Sequence, residues 1–339
     1  MIRFFENHSI KNYNTFGVDA IARYFFEFTE IEDVDKFVKS NQTWSNVPYF
    51  ILGGGSNVLF MDNVEGLVLH PNVPGIGKVH EDRQHVWLEV GAGEIWDDFV
   101  KYCVSWQLGG VENLSLIPGT VGAAPVQNIG AYGQEVSNVI EFVRGYDLQQ
   151  KTQIELSAEA CNFSYRNSIF KETLKGSAVI TSVVFRLEKF PEFKLNYGQV
   201  EERVKALGGV NLHNIRQAIV EIRTSKLPDF TMMGNAGSFF KNPVADPAVT
   251  DEILKKYPEM PVFDAGHGKV KLAAGWLIEH SGLKGYREGN VGVHDKQALV
   301  LVNYGGATGK EIYNFSEKVK QEVIKKFGVE LEREVNVVA

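Results

Sequence analysis

Residues 117–133 read IPGTVGAAPVQNIGAYG, with glycines at 119, 122, 130 and 133 and no charged side chain. Glycine and proline make the run a poor helix or strand, yet it is too apolar for a solvated linker. Bare backbone N–H groups and small side chains suit close approach by a pyrophosphate and a flat ring. A buried Ω-type loop would use the same composition. A second glycine cluster, Gly53-Gly54-Gly55-Ser56-Asn57, follows directly on the apolar run PYFIL at 48–52. Alone, it reads equally well as a tight strand-to-loop turn. Two uncharged glycine loops in one chain indicate a large phosphorylated cofactor held by main chain. Neither is the dinucleotide fingerprint GxGxxG, since Val58 stands where the last glycine belongs, and Gly91-Ala92-Gly93 has Trp96 in that place. The run from Gly305 to Lys310 has the wrong spacing for a Walker A loop, with Glu311 where a hydroxyl is needed.

The chain around these loops has 339 residues, enough for two or three domains. Hydrophobic residues at 44% and charged residues at 23% are the balance of a folded globular protein rather than a disordered one. Lys+Arg 35 against Asp+Glu 42 leaves a net charge of -7, the wrong sign for a general nucleic-acid or anionic-membrane binder. Any anionic ligand must therefore be held locally. The only cysteines, Cys103 and Cys161, fit a reducing compartment rather than a disulfide framework. The first residues lack the apolar stretch of a signal peptide, and no run reaches the ~18 apolar residues of a membrane span. A cytoplasmic protein is expected.

Strands and helices are mixed. Strands are predicted at 21–28, 48–52, 86–90, 139–148, 178–187 and 297–303. Helical stripes run through Ile95, Phe99, Cys103 and Trp106, and through Ile312, Phe315, Val319, Val323 and Phe327. A third helix is predicted at 271–281, ending at Ser281-Gly282. Irregular composition at 189–212 suggests a domain boundary, and 258–268 reads as a long loop. The fold class is α+β with at least two domains.

Two further clusters carry chemistry. In Ser164-Tyr165-Arg166-Asn167-Ser168, an arginine among aromatic and small polar residues suits a carboxylate, or an ordinary surface turn. In Gly234-Asn235-Ala236-Gly237-Ser238-Phe239-Phe240-Lys241-Asn242-Pro243, a serine follows a glycine turn beside two aromatics and a lysine. That is a setting for a proton-donating hydroxyl, or an ordinary turn serine. The eight histidines show no metal-ligand spacing, so no metal is expected. His280 and His294 read as surface or supporting groups.

Taken together, these segments resemble the UDP-N-acetylenolpyruvoylglucosamine reductases, the MurB family. The likeness runs through NTFGVDA (14–20), ILGGGSNVLF (51–60), VGAGEIWDDFV (90–100), ENLSLIPGTVGAAPVQNIGAYG (112–133), CNFSYRNSIFK (161–171) and IRTSKLP (222–228). It continues in GNAGSFFKNP (234–243), KLAAGWLIEHSGLKG (271–285) and VHDKQALVLVN (293–303). LNYGQV at 195–200 looks like the tyrosine loop of the family's first type.

The resemblance implies an FAD-binding fold of the vanillyl-alcohol-oxidase (PCMH) type over 1–190, in subdomains of about 1–70 and 71–190. A C-terminal α+β substrate domain at 210–330 and a strand at 331–339 returning to the active site would follow. It implies NADPH-dependent, FAD-mediated reduction of UDP-N-acetylglucosamine enolpyruvate to UDP-N-acetylmuramate. A monomer is expected. Hydride would pass from flavin N5 to C3 of the enolpyruvyl group. For the cofactor it assigns Gly53, Gly54, Gly55, Ser56, Asn57, Pro118, Gly119, Thr120, Gly122, Asn128, Ile129, Gly130 and Gly133. For the substrate it assigns Tyr165, Tyr197, Lys226, Asn242 and Gln297. Arg166 would face the substrate carboxylate, Ser238 would protonate C2, and Glu334 would be the C-terminal acid. At that acid this chain departs from the family ending, carrying Arg333 and Asn336 where proline and arginine usually flank it. Another flavin oxidoreductase of the superfamily, or a non-catalytic nucleotide-sugar binder, would share the first two loops.

Overall fold

The computed structural model describes residues 2–39, 47–266 and 268–339. The chain divides into two compact units: Met1–His8, Ala22–Gly54 and Glu65–Ser225 form one, and Ser9–Ile21, Gly55–Val64 and Lys226–Ala339 the other.

The first unit is built on two sheets. One orders its strands Ile2–Ser9, Ile21–Phe28, Val64–Pro71 and Tyr49–Ile51. The last two pair in parallel, with Phe50 opposite Val68. Helix Ile31–Lys39 covers it, burying Val34 and Phe37 against Phe26, Phe28, Leu67 and Leu69. The other sheet is antiparallel and orders Thr152–Ser157, Ile140–Asp147, Ala178–Glu188, His85–Gly91 and Ile76–Glu81. Its central strand, Ala178–Glu188, is buried on both faces from Val179 to Phe185. The alternation predicted there marks one of two covered faces, as a central strand of a sandwiched sheet requires.

Helix Trp96–Ser105 packs on that sheet through Trp96, Phe99, Val100, Cys103 and Val104. Trp106 is 65% exposed and Ile95 lies outside the helix, so the predicted stripe is rotated by one position. The indole fixes the rotation, because Trp96 Nε1 donates to Leu114 O at 2.9 Å while its ring meets Phe99 and Phe185. Helices Val200–Ala206 and Leu212–Lys226 join through Val200, Val204, Ile215, Ala218 and Ile219. The irregular stretch expected at 189–212 thus holds a helix.

The second unit contains a sheet ordered Gly234–Ser238, Val300–Asn303, Val291–Val293 and Arg287–Glu288, and a smaller one of Val244–Ala245, Val270–Leu272 and Val262–Asp264. Val270–Leu272 occupies the start of the helix predicted at 271–281, which begins instead at Ala274. Val262–Asp264 is a strand within the expected loop at 258–268, where residue 267 lies outside the described residues. Helix Gly309–Phe327 bears out the second stripe, burying Ile312, Phe315, Val319, Val323 and Phe327. Each contributes roughly 1.5–3 kcal/mol of apolar burial. A reciprocal Thr308–Glu311 capping box starts this helix and Gly328, at φ +68, ends it. Both cysteines are free and buried.

Candidate functional site

In the first unit the strand Tyr49–Ile51 delivers Gly53 and Gly54 onto the 117–133 loop. A β-carbon on Gly54 would lie 2.7 Å from Gly119 Cα and 3.1 Å from Thr120 N. One on Gly53 would lie 3.0 Å from Ala123 Cβ. The two clusters, more than sixty residues apart in sequence, therefore meet backbone to backbone. The loop then makes a single 3-10 turn at Val121–Ala123, with Gly122 pressed on Ala92, and a short hairpin of Gly130–Ala131 with Gln134–Glu135. Thr120 is buried, and its Oγ1 has no hydrogen-bond partner among the described residues. Leaving a buried hydroxyl unmade costs about 1–3 kcal/mol. A cradle of bare backbone with an unused hydroxyl in its wall fits a phosphorylated flavin cofactor such as FAD.

Asn128 serves the loop itself. It is fully buried at φ +46, accepts from Ser137 N, and donates to Glu135 and to Ser164 O. Pro118 and Gly119 are half-buried, Ile129 is buried and Gly133 exposed.

Arg166 joins this loop. The turn at Ser164–Asn167 closes with reciprocal backbone bonds of 3.1 Å and holds Arg166 at φ +55. The guanidinium donates to Gly130 O at 2.5 Å and to Asn128 O at 3.3 Å, with its carbon 5.2 Å from the Tyr165 ring centre. A β-carbon on Gly130 would sit 2.8 Å from Arg166 Nη1 and 3.0 Å from the backbone oxygen of Gln134. Tyr197 stands edge-on to Tyr132 at 6.1 Å. Lys226 is exposed at the last turn of helix Leu212–Lys226.

In the second unit Ser238 ends its strand after a bulge at Gly237, whose φ is +67 and whose N–H is held by Asn235 Oδ1. Ser238 is exposed, and no hydrogen bond engages its hydroxyl among the described residues. The C-terminal segment runs beside it: Glu334 N donates to Phe239 O at 2.9 Å and Lys241 N to Glu332 O at 2.9 Å. Arg333 turns toward helix Gly309–Phe327, donating to Ser316 Oγ and Glu317 and lying over Tyr313. Neighbours in extended chain point to opposite faces, so anchoring Arg333 turns half-buried Glu334 the other way. Asn57 Nδ2 donates to Glu334 O at 3.2 Å and Asn57 O accepts from Asn336 N. Ser56, like Asn57, is half-buried. Gly55, at φ +61, has Tyr13 O 1.9 Å from where a β-carbon would stand.

Asn242 and Gln297 meet at one helix start. Asn242 Oδ1 accepts from Ala274 N at 3.0 Å, and Gln297 Oε1 lies 3.1 Å from a β-carbon built on Gly275. The structure thus gathers the loop candidates with Arg166, Tyr165 and Tyr197 in the first unit. It gathers Asn57, Ser238 and Glu334, and separately Asn242 with Gln297, in the second.

Three residues escaped the sequence reading. Asn113 bonds both Tyr132 O and Lys194 O. Burial raises the Tyr132 phenol, which Arg223 opposes, and the buried Arg223 Nε has no partner among the described residues. Arg223 lies four residues after Ile219 on the buried stripe of its helix, a signal that could have been read. His294, read as a surface or supporting group, is buried rather than at the surface, and its imidazole is pushed below the usual histidine range mainly by that burial. Among the described residues no cluster of metal-ligating side chains occurs, and no helix is long and apolar enough to cross a membrane.

Residues 22–151 match the FAD binding domain family. The α+β fold and its backbone cradle therefore define a flavoprotein that binds FAD. Residues 229–338 match the family described as UDP-N-acetylenolpyruvoylglucosamine reductase, C-terminal domain. Reductases of that name from Amoebophilus asiaticus and Flavobacterium johnsoniae are each 45% identical, over 335 and 338 residues, covering 98% of this chain and 98% and 99% of theirs. The chain belongs to the UDP-N-acetylenolpyruvoylglucosamine reductase family. The crystal structure of the Thermus caldophilus reductase (MurB) shares the fold with a TM-score of 0.68, at 22% identity, over 100% of this chain and 99% of that one.

Proposed function

We propose that this protein reduces UDP-N-acetylglucosamine enolpyruvate to UDP-N-acetylmuramate with NADPH, in the cytoplasmic stage of peptidoglycan synthesis. The observation that carries the catalytic assignment is the backbone bond from Glu334 N to Phe239 O, which sets the acid beside the residue that follows Ser238. FAD, when bound, supplies the two-electron relay between NADPH and the enolpyruvyl double bond. Gly53, Gly54 and the 118–133 loop would hold it through main chain, with the Thr120 hydroxyl as a polar contact.

Reduction at C3 leaves charge on C2 and the carboxylate. Arg166 meets that charge with its guanidinium, and Glu334, in its acid form, with a hydrogen bond. Ser238 then gives its proton to C2 as general acid. A hydroxyl is a weak acid, and a hydrogen bond donated to a protein acceptor would tie up the proton it must deliver. The exposed Ser238 Oγ, unengaged among the described residues, is therefore suited to the task. Tyr165 and Tyr197 would contact the substrate, and Lys226, Asn242 and Gln297 its diphosphate and sugar. The chain would act as a monomer.

An anaerobic experiment tests this in two halves. NADPH should bleach the flavin band near about 450 nm, and UDP-N-acetylglucosamine enolpyruvate should restore it. Bleaching without recovery would keep the flavin and overturn the substrate. Absence of flavin after reconstitution would overturn the whole reading.

A further inference from the structure

Asn113 is 2% exposed and sits in the 3-10 turn Glu112–Leu114. Its single amide nitrogen donates twice, to Tyr132 O at 2.9 Å in the 117–133 glycine loop and to Lys194 O at 2.8 Å. Lys194 lies three residues before Tyr197. One side chain thus fastens the cofactor loop to the base of the tyrosine segment. Two contacts repeat the link, Lys194 Nζ to Gln134 Oε1 at 2.6 Å and the edge-on Tyr132–Tyr197 pair. Phe193 and Leu195 anchor the segment on Val200, Val204, Ile215 and Ile219, while Tyr197 itself is 51% exposed. The base is fixed and the tip is open. Tyr132 holds φ +49, a conformation that side chains rarely adopt, and the Asn113 bond fastens its carbonyl there.

We propose that Asn113 is a positioning residue for substrate binding: it couples the cofactor loop to the Tyr197 segment, so that Tyr197 meets the nucleotide sugar from a fixed base. The chemistry is specific to an amide. Two carbonyl oxygens need two N–H donors, and an aspartate at this position would present only acceptors to both. The proposal rests on the reading of Tyr197 as a substrate contact.

The test is a double-mutant cycle on the flavin-loaded protein, reading the Kd of UDP-N-acetylmuramate by calorimetry, with no turnover involved. Asn113→Asp should weaken binding by about tenfold and Lys194→Ala by about threefold, the scale of one or two hydrogen bonds. Flavin content, read by absorbance, should stay at the wild-type level. Added to Tyr197→Ala, neither should weaken binding further, because the effect runs through that ring. Full additivity with Tyr197→Ala, or an unchanged Kd in both single variants, would overturn the coupling while leaving the substrate reading of Tyr197 standing. An unchanged Kd in Tyr197→Ala alone would remove that reading and this inference with it. Should Asn113→Asp fail to fold, Asn113→Ala, which removes both donors and adds no charge, takes its place in the same cycle and is read the same way, while Lys194→Ala reports only the Lys194–Gln134 contact, since Ala keeps the Lys194 carbonyl.

Discussion

Substituting Gly54 by alanine tests whether the two glycine loops form the cofactor cradle. The added methyl would lie 2.7 Å from Gly119 Cα, 3.0 Å from Gly119 C and 3.1 Å from Thr120 N. Carbon atoms rest about 3.5–4.0 Å apart, so the loops would have to separate by about 1 Å. All three opposing atoms are backbone, and no rotamer can relieve them. Forcing a methyl into such a contact costs about 1–3 kcal/mol. If that strain falls on the cradle, FAD affinity should drop roughly 5–150-fold. The assay is FAD titration of apo protein by flavin fluorescence, with the absorbance ratio of the purified protein as a second reading. Gly77→Ala is the control, since nothing among the described residues lies within 4 Å of its β-carbon position. It should bind FAD as the wild type does. Wild-type FAD affinity in Gly54→Ala, with normal thermal stability, would refute the cradle.

Ser238→Ala should slow the substrate half-reaction by at least ~10²–10⁴-fold while NADPH still bleaches the flavin; Ser238→Cys, which can still donate, should recover part of the rate, and stopped-flow absorbance separates the halves. Gly55→Ala combines a φ of +61 with Tyr13 O at 1.9 Å, so thermal unfolding should show a loss of about 4 kcal/mol or more. Thr308→Ala removes one side of the capping box and should cost about 0.5–2 kcal/mol, read from denaturant midpoints. Burial pulls the Asp97 carboxyl upward, but the Arg216 fork at 2.7 and 2.8 Å, the Leu116 N–H and Lys101 outweigh it and hold the group below its usual range. A depressed carboxylate stabilises the fold above its unfolded pKa of about 3.9 and loses that contribution as pH falls through the lower folded value. Asp97→Asn should therefore be less stable near neutrality and show a shallower acid loss, measured by urea midpoints across that window.

Much of this was legible in the chain. The strand at 21–28 was read at its observed bounds, and the stripe from Ile312 to Phe327 is the buried face of its helix. Apolar periodicity reports burial directly, and those elements bury one face. The helix at Trp96–Ser105 was read one position out, because a buried indole with a carbonyl partner outweighs the average of a stripe. The break at Leu272–Ala274 was missed because a three-residue strand leaves no period to detect. At the site, the glycine clusters, Arg166 and Ser238 stood out by residue type. Asn113 did not, since a lone buried asparagine looks like any other polar residue until its two carbonyl partners are known.

By itself, then, the sequence determined the longer strands and helices, the two bare-backbone loops, and which family they belong to. Only the tertiary structure decided that Gly54 lies against Gly119, that Asn57 is bound to the C-terminal segment carrying Glu334, and that Ser9–Ile21 and Gly55–Val64 fold with the C-terminal residues. Two of these contacts rest on backbone: Gly54 meets Gly119 main chain to main chain, and Asn57 bonds the carbonyl of Glu334. Every residue carries a backbone carbonyl, so no side-chain pattern announces which one will be met.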